Sequence, residues 1–228
     1  AMPSRSGPPT VAGRWSLAPQ PADEPTRRAH ARAEAFLERH GVLTRGALDV
    51  ERVTGGFSAV YKVLRAMEES GRCRRGYVVE GLGAAQFAVP GAIDRLRALS
   101  RDENGDGEAV VLAAADPAQP YGGALEWPAV MGETRHRPGR KAGALVVLVA
   151  GEAVFYVERG GKSLLSFTED ESALRAAADG LVRVVRDGWL DQLAVQRADG
   201  EGAWGSKLAA VLTEAGFRAT PKGLRLRA

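Results

Sequence analysis

The chain has 228 residues, 45% of them hydrophobic and 26% charged, with a formal net charge of +3. That length suits one large or two small domains with a real core, and the composition is ordinary for a globular protein. No apolar run approaches the ~20 residues that cross a bilayer, no secretory pattern opens the chain, and the single cysteine, Cys73, excludes an internal disulfide framework and fits a reducing cytoplasm.

The charge is unevenly spread. Thr26 to Arg101 carries 14 Arg and Lys against 8 Asp and Glu, whereas Asp102 to the end carries 15 against 18. The first block would therefore attract a polyanion. Residues 1–25, rich in proline and small residues, read as an extended leader. Within it, Gly13-Arg-Trp-Ser-Leu17 carries two large apolar groups and reads as a short strand. A first helix follows, capped by Thr26 and buried through Ala29, Ala33, Phe36 and Leu37, with Gly41 as its stop. Residues 42–50 read as a turn and a short second helix capped by Thr44. The third helix runs from about Phe57 to Glu69, with Val60, Val63, Leu64 and Met67 inward. Two strands, 72–79 and 86–89, flank a Gly81/Gly83 loop. Pro90 then opens a fourth helix, 91–99, expected to bury Ile93, Leu96 and Leu99.

A polar, glycine-containing stretch from Arg101 to Glu108 marks a domain boundary. Beyond it the pattern is β-rich: a strand over 109–114, then a meander over 144–149, 153–158 and 163–167 with turns at Gly151 and Gly160-Gly161. Thr168 and Glu171 form a capping box for a helix carried by Leu174, Leu181, Val182 and Val185. A strand over 190–196, a helix over 206–215 stopped by Gly216, and a hairpin through Pro221-Lys-Gly223 complete the order. The fold class is α+β: a leader over 1–25, a winged helix-turn-helix over 26–101, and a β-rich, barrel-like α+β domain over 109–228.

Three helices followed by an arginine-studded hairpin are what a winged helix needs to set one helix in a groove and a wing over phosphates. Ser58, Tyr61, Lys62, Arg65 and Glu69 lie opposite the core face of the third helix. Hydroxyl and cationic groups at that spacing can reach phosphates or base edges. Arg72, Arg74 and Arg75 open the wing, placed for backbone contacts. The nucleic-acid set is thus Ser58, Tyr61, Lys62, Arg65, Arg72, Arg74 and Arg75. The alternative is a winged helix used for protein contacts, with its arginines solvated.

Other motifs carry less. Gly161-Lys-Ser163 imitates a phosphate-binding loop, but Tyr156 stands where that motif needs a glycine, and 164–167 reads as strand rather than helix. His30, His40 and His136 share no ligand spacing and one cysteine cannot begin a zinc cluster, so no metal is expected. Cys73 lies among arginines that would lower its thiol pKa, but no acid–base partner is near it in sequence. Asp116 precedes Pro-Ala-Gln-Pro-Tyr-Gly-Gly and a basic loop containing Arg135, His136, Arg137, Arg140 and Lys141. It could act in base excision, with a flipped base stacked on Tyr121 or Trp127, or simply cap its own turn.

Gly13-Arg-Trp-Ser-Leu17, Gly55-Gly-Phe57, Tyr77-Val-Val-Glu-Gly-Leu-Gly-Ala-Ala-Gln-Phe-Ala88, Ala115-Asp-Pro-Ala-Gln-Pro-Tyr-Gly122 and Gly151-Glu-Ala-Val-Phe-Tyr-Val-Glu-Arg-Gly-Gly161 resemble the carboxy-terminal region of bacterial Lhr (large helicase-related) proteins. The resemblance implies an ATP-dependent superfamily 2 helicase linked to DNA repair, which unwinds DNA or RNA–DNA hybrids from the 3′ side. ATP and Mg²⁺ would belong to a motor upstream, and this stretch would need no cofactor of its own. It also implies a winged helix and β-barrel similar to AlkZ-like DNA glycosylases, and some Lhr tails are associated with uracil-DNA glycosylase activity. The Gln-x-Gln motif of those glycosylases is absent, since Gln86 stands alone in Ala-Gln-Phe-Ala. The expected function is a nucleic-acid-binding accessory domain in a cytoplasmic, nucleoid-associated bacterial protein. Its partners would be single-stranded or duplex DNA or an RNA–DNA hybrid, and the helicase core of the same polypeptide, with no membrane. The alternatives are a glycosylase with Asp116 as the one candidate catalytic residue, and a module that assembles homo-oligomers.

Overall fold

In a computed structural model the described residues are 16–20, 24–83, 85–101 and 107–227. The short strand expected at 13–17 therefore lies largely outside them. The first module contains α1 (Pro25–His40), β1 (Val42–Leu43), α2 (Arg45–Val50), α3 (Gly56–Glu69), β2 (Arg74–Gly76), β3 (Gln86–Ala88) and α4 (Ala92–Arg101). Its sheet is antiparallel in the order β1-β3-β2. Ala33, Phe36 and Leu37 of α1 close with Leu48, Val60, Leu64, Met67 and Phe87 into one core.

The cap of α1 is Glu24, not Thr26. Pro25 fits the first helical position, where no N–H partner is required, so the helix starts earlier and the Glu24 carboxylate receives the Thr26 and Arg27 N–H groups. The Thr26 side chain first, then the Thr26 and Arg27 N–H groups, hold the Glu24 carboxyl below the ordinary range. Thr44 caps α2 as expected, accepting from Ala47 N at 3.1 Å. Helix α4 departs from expectation. Ile93, Leu96 and Leu99 are 40%, 43% and 71% exposed. Its apolar period marks an amphipathic helix, but no other described element lies over that stripe.

The second module contains β4 (Ala109–Ala113), β5 (Leu145–Val149), β6 (Glu152–Val157), β7 (Ser163–Ser166), α5 (Glu171–Arg186), β8 (Gln192–Val195), β9 (Arg197–Ala198), β10 (Glu201–Gly202), α6 (Ala209–Glu214), β11 (Arg218–Thr220) and β12 (Gly223–Arg227). One sheet has the order β10-β9-β7-β6-β5-β4 and another β11-β12-β8. Pairing is antiparallel except between β7 and β9. The strand over 192–198 belongs to both sheets, and at its crossing the Gln196 and Arg197 N–H groups both donate to Lys162 O at 3.0 Å.

The larger sheet is covered on both faces, which is why β5 and β6 read as nearly unbroken apolar runs. Val147, Val149 and Val154 pack beneath Leu174, Ala177, Leu181 and Val185 of α5. Val146, Tyr156 and Leu165 face Tyr121 and Trp127 of the long connection over 114–144. At Gly180 the approach is so close that a Cβ would lie 2.8 Å from the Ala109 Cβ. Helix α5 is capped by Asp170, which accepts from Ala173 N at 2.8 Å, and not by Thr168, whose hydroxyl accepts from the N–H of Asp170 itself. The modules meet where 122–124 packs on α2: a Cβ on Gly46 would stand 2.4 Å from Gly123 O.

Candidate nucleic-acid interface

Helix α3 turns Val60, Leu64 and Met67 inward, leaving Ser58, Lys62 and Arg65 exposed and Tyr61 half-buried. The Tyr61 ring meets Phe87 edge-on at 5.9 Å and lies 5.6 Å from Phe57. Its hydroxyl accepts from Arg75 Nη1 at 2.9 Å, which ties the wing to the helix. Neighbouring side chains on a strand point to opposite faces, so Arg74 projects away from the side on which Arg75 meets α3. Arg72 turns back to α1, where it pairs with Glu34 at 2.6 Å and lies 3.3 Å from His30. The structure thus gathers Ser58, Tyr61, Lys62, Arg65 and Arg75 along one junction, places Arg74 on the reverse of the strand, and removes Arg72.

Carboxylates neutralise much of this set. Arg65 faces Glu69 at 3.4 Å and Arg75 faces Glu68 at 3.7 Å. Lys62 and Arg74 have no carboxylate within ion-pair distance among the described residues. The strands of the wing are shorter than expected because a buried side chain, not a ladder, organises residues 77–83. Gln86 is fully buried. Its Oε1 accepts from Val78 N and Val79 N at 3.1 and 2.8 Å, and its Nε2 donates to Val79 O and Gly83 O at 2.8 Å each. All four amide positions are used, so Gln86 shapes the wing and Tyr77 is left 81% exposed.

Other sequence candidates resolve differently. Cys73 is buried, with its Sγ 3.5 Å from Leu64 O, and burial followed by the Glu68 charge pushes its thiol up rather than down. The arginines beside it are exposed. His40 lies 3.0 Å from Glu51, and His30 3.4 Å from Glu34. Residues Arg159–Gly161 form a 3-10 turn that feeds β7, so Gly-Lys-Ser opens a strand. The Asp116 Oδ1 accepts from Ala118 N at 2.8 Å in an Asx turn, and Arg140 clamps the same loop by donating to Asp116 O at 2.8 Å and to Gln119 O. Tyr121 is buried, its hydroxyl near Glu152 and Ala153 N, and Trp127 stacks on Tyr121 and Phe167. Both rings are packed within the second module's outer core.

A cluster not anticipated from sequence stands where β6 meets the basic loop. The His136 Nε2 and Glu158 Oε2 are in direct hydrogen-bond contact, Lys141 Nζ lies 3.4 Å from both Glu158 oxygens, and the Tyr156 hydroxyl reaches Glu158 at 3.5 Å. Burial first, then the Glu158 charge, pushes the Tyr156 phenol up to about 12. A carboxylate between an imidazole and an ammonium can accept, hold or relay a proton. The alternation of Tyr156 and Glu158 on one strand was the available signal. Their meeting with residues 136–141 depends on how the long connection folds back.

A family profile described as the winged-helix domain of the large helicase-related protein matches residues 22–108. A Mycolicibacterium smegmatis protein named "Lhr helicase/probable uracil glycosylase" is 50% identical over 234 aligned residues, 98% of this chain and 15% of that protein. The chain belongs to the Lhr family. The Escherichia coli "Lhr helicase/uracil glycosylase" is 37% identical over 219 residues, 95% of this chain and 14% of that protein. This Lhr chain therefore corresponds to about one seventh of these relatives' length. It includes their winged-helix domain and is α+β throughout, and no described helix is long and apolar enough to cross a membrane.

Proposed function

We propose that this Lhr region is a nucleic-acid-binding accessory module that holds DNA, or an RNA–DNA hybrid, for a helicase motor elsewhere in the polypeptide. The motor would use ATP and Mg²⁺, and the work would serve DNA repair. The carrying observation is the exposed α3 face joined to the wing through Tyr61 and Arg75, with Lys62 and Arg74 left without carboxylates. Lys62 on the helix face and Arg74 on the reverse of the wing strand are both uncompensated and so free to meet phosphates on the two sides of the wing, whereas Arg72 is already occupied by Glu34. We expect the double variant Lys62→Ala, Arg74→Ala to bind duplex DNA several-fold more weakly in fluorescence anisotropy. Its slope of log affinity against log salt should fall by about 2, while Arg72→Ala changes little. Wild-type affinity and slope in the double variant would sink this assignment.

A second reading, removal of a damaged base such as uracil, is favoured by the His136–Glu158–Lys141 cluster and by the glycosylase in the relatives' names. Under it, Glu158 would polarise the attacking water, and the cations would stabilise the departing base. Glu158→Gln should reduce cleavage of a uracil-containing oligonucleotide by ~100-fold or more, with Asp116→Ala near wild type. Equal rates in wild type and Glu158→Gln would remove the cluster from the chemistry.

A further inference from the structure

We propose a second nucleic-acid surface, separate from the winged helix: an arginine-lined groove on the smaller sheet that takes the backbone of a single strand. A groove of about 1030 Å³ is lined by Arg186 at the end of α5, Arg218 of β11, and Arg225 and Arg227 of β12. No carboxylate lines it, and among the described residues none of these four arginines has an ion-pair partner. Elsewhere Arg39, Arg65, Arg75, Arg175 and Arg183 each face a carboxylate.

The arrangement is unfavourable without an anion. Arg218 and Arg225 are direct cross-strand partners, and like charges opposed on a sheet destabilise it. The Arg225 Nε is buried without a hydrogen-bond partner, alone in this among the described side-chain nitrogens and oxygens. A buried donor left unpaired is costly and calls for an acceptor. Phosphate oxygens meet both demands, since they are anionic and accept from the planar guanidinium fork.

The spacing and rim select the ligand. Leu224 and Leu226 point into the core, so Arg225 and Arg227 share the outer face ~6.6 Å apart along the strand, one cation for each phosphate of an extended chain. At the rim Trp204 donates Nε1–H to Thr220 O at 3.0 Å and keeps 57% of its surface exposed. That bond fixes the indole as a platform beside the cations. Cations along a backbone track with an exposed aromatic for stacking are the two elements of sequence-tolerant single-strand binding.

The test uses the whole chain and a labelled oligothymidylate in fluorescence anisotropy over a salt series. The variant Arg218→Gln, Arg225→Gln, Arg227→Gln should bind at least ~10-fold more weakly at low salt, with the salt slope reduced by about 2. Trp204→Ala should lose about tenfold with an unchanged slope. The Lys62→Ala, Arg74→Ala variant should keep the groove's contribution, which separates this surface from the winged helix. If the triple variant fails to fold by circular dichroism, Arg227→Glu alone, at an exposed position, should still weaken binding several-fold. Wild-type affinity and slope in the folded triple variant, or in Arg227→Glu, would overturn the proposal. So would displacement of the oligonucleotide by polyglutamate of equal charge as readily as by unlabelled oligothymidylate, since the groove would then be a general polyanion patch.

Discussion

Tyr156 shows how single groups respond to their surroundings. Its phenol is pushed up to about 12 by burial and by Glu158, whereas an unfolded tyrosine titrates near ~10. The folded state therefore holds that proton more tightly. The stabilisation is complete below pH ~10 and fades as the pH rises through about 12. Tyr156→Phe keeps the ring and removes the titration, so its alkaline unfolding midpoint should move to higher pH when followed by tryptophan fluorescence. An unchanged midpoint would exclude this phenol as the responsible group. Several single-residue roles were legible in the sequence and others were not. Thr44 sat where a cap was needed, but Thr26 and Thr168 were each displaced by a nearby carboxylate, Glu24 or Asp170. Spacing alone does not decide which of two adjacent acceptors reaches the free N–H groups. Exposure of Lys62 and Arg65 followed from helical periodicity, but the glutamates that neutralise Arg65, Arg72 and Arg75 depend on side-chain directions.

Elements were the most legible level. The core stripe of α3, the meander through β5, β6 and β7, and the apolar face of α5 all follow from periods of 3.6 and 2. What periodicity leaves out is closeness of approach. Gly180 reads as a weak point in α5, yet it allows the helix to settle on β4. Replacing it with alanine gains ~1 kcal/mol of helix propensity but overpacks the contact with Ala109, which costs about 1–3 kcal/mol. Urea unfolding of Gly180→Ala should therefore show a net loss near ~1 kcal/mol, and a more stable variant would show that the helix can shift freely. Helix α4 makes the complementary point: Ile93, Leu96 and Leu99 announce an amphipathic helix, but the stripe carries no record of what lies over it. The polar cluster at Glu158 was illegible for a related reason, since residues 136 to 141 reach it only through the path of an irregular connection.

The molecule as a whole depends on a small contact between its modules. Gly46 and Gly123 let α2 rest on the 122–124 backbone, and Val50 stands where a Cβ on Gly123 would fall. Gly46→Ala places a methyl 2.4 Å from a carbonyl oxygen, so the modules must separate or tilt. Small-angle scattering should report a larger radius of gyration than wild type, and an identical profile would show that the seam yields without opening. Neither glycine advertised this in the sequence, where Gly46 falls in the short helix after Thr44 and Gly123 in the loop that follows Asp116. The strand over 192–198 has a mechanical consequence. Its first half is laced to β12 and its second half runs beside β7, so a tug on the smaller sheet reaches the larger one through covalent backbone. A load applied on one side of Gln196 is therefore carried to the other, so the two sheets of the second module share it through a single strand.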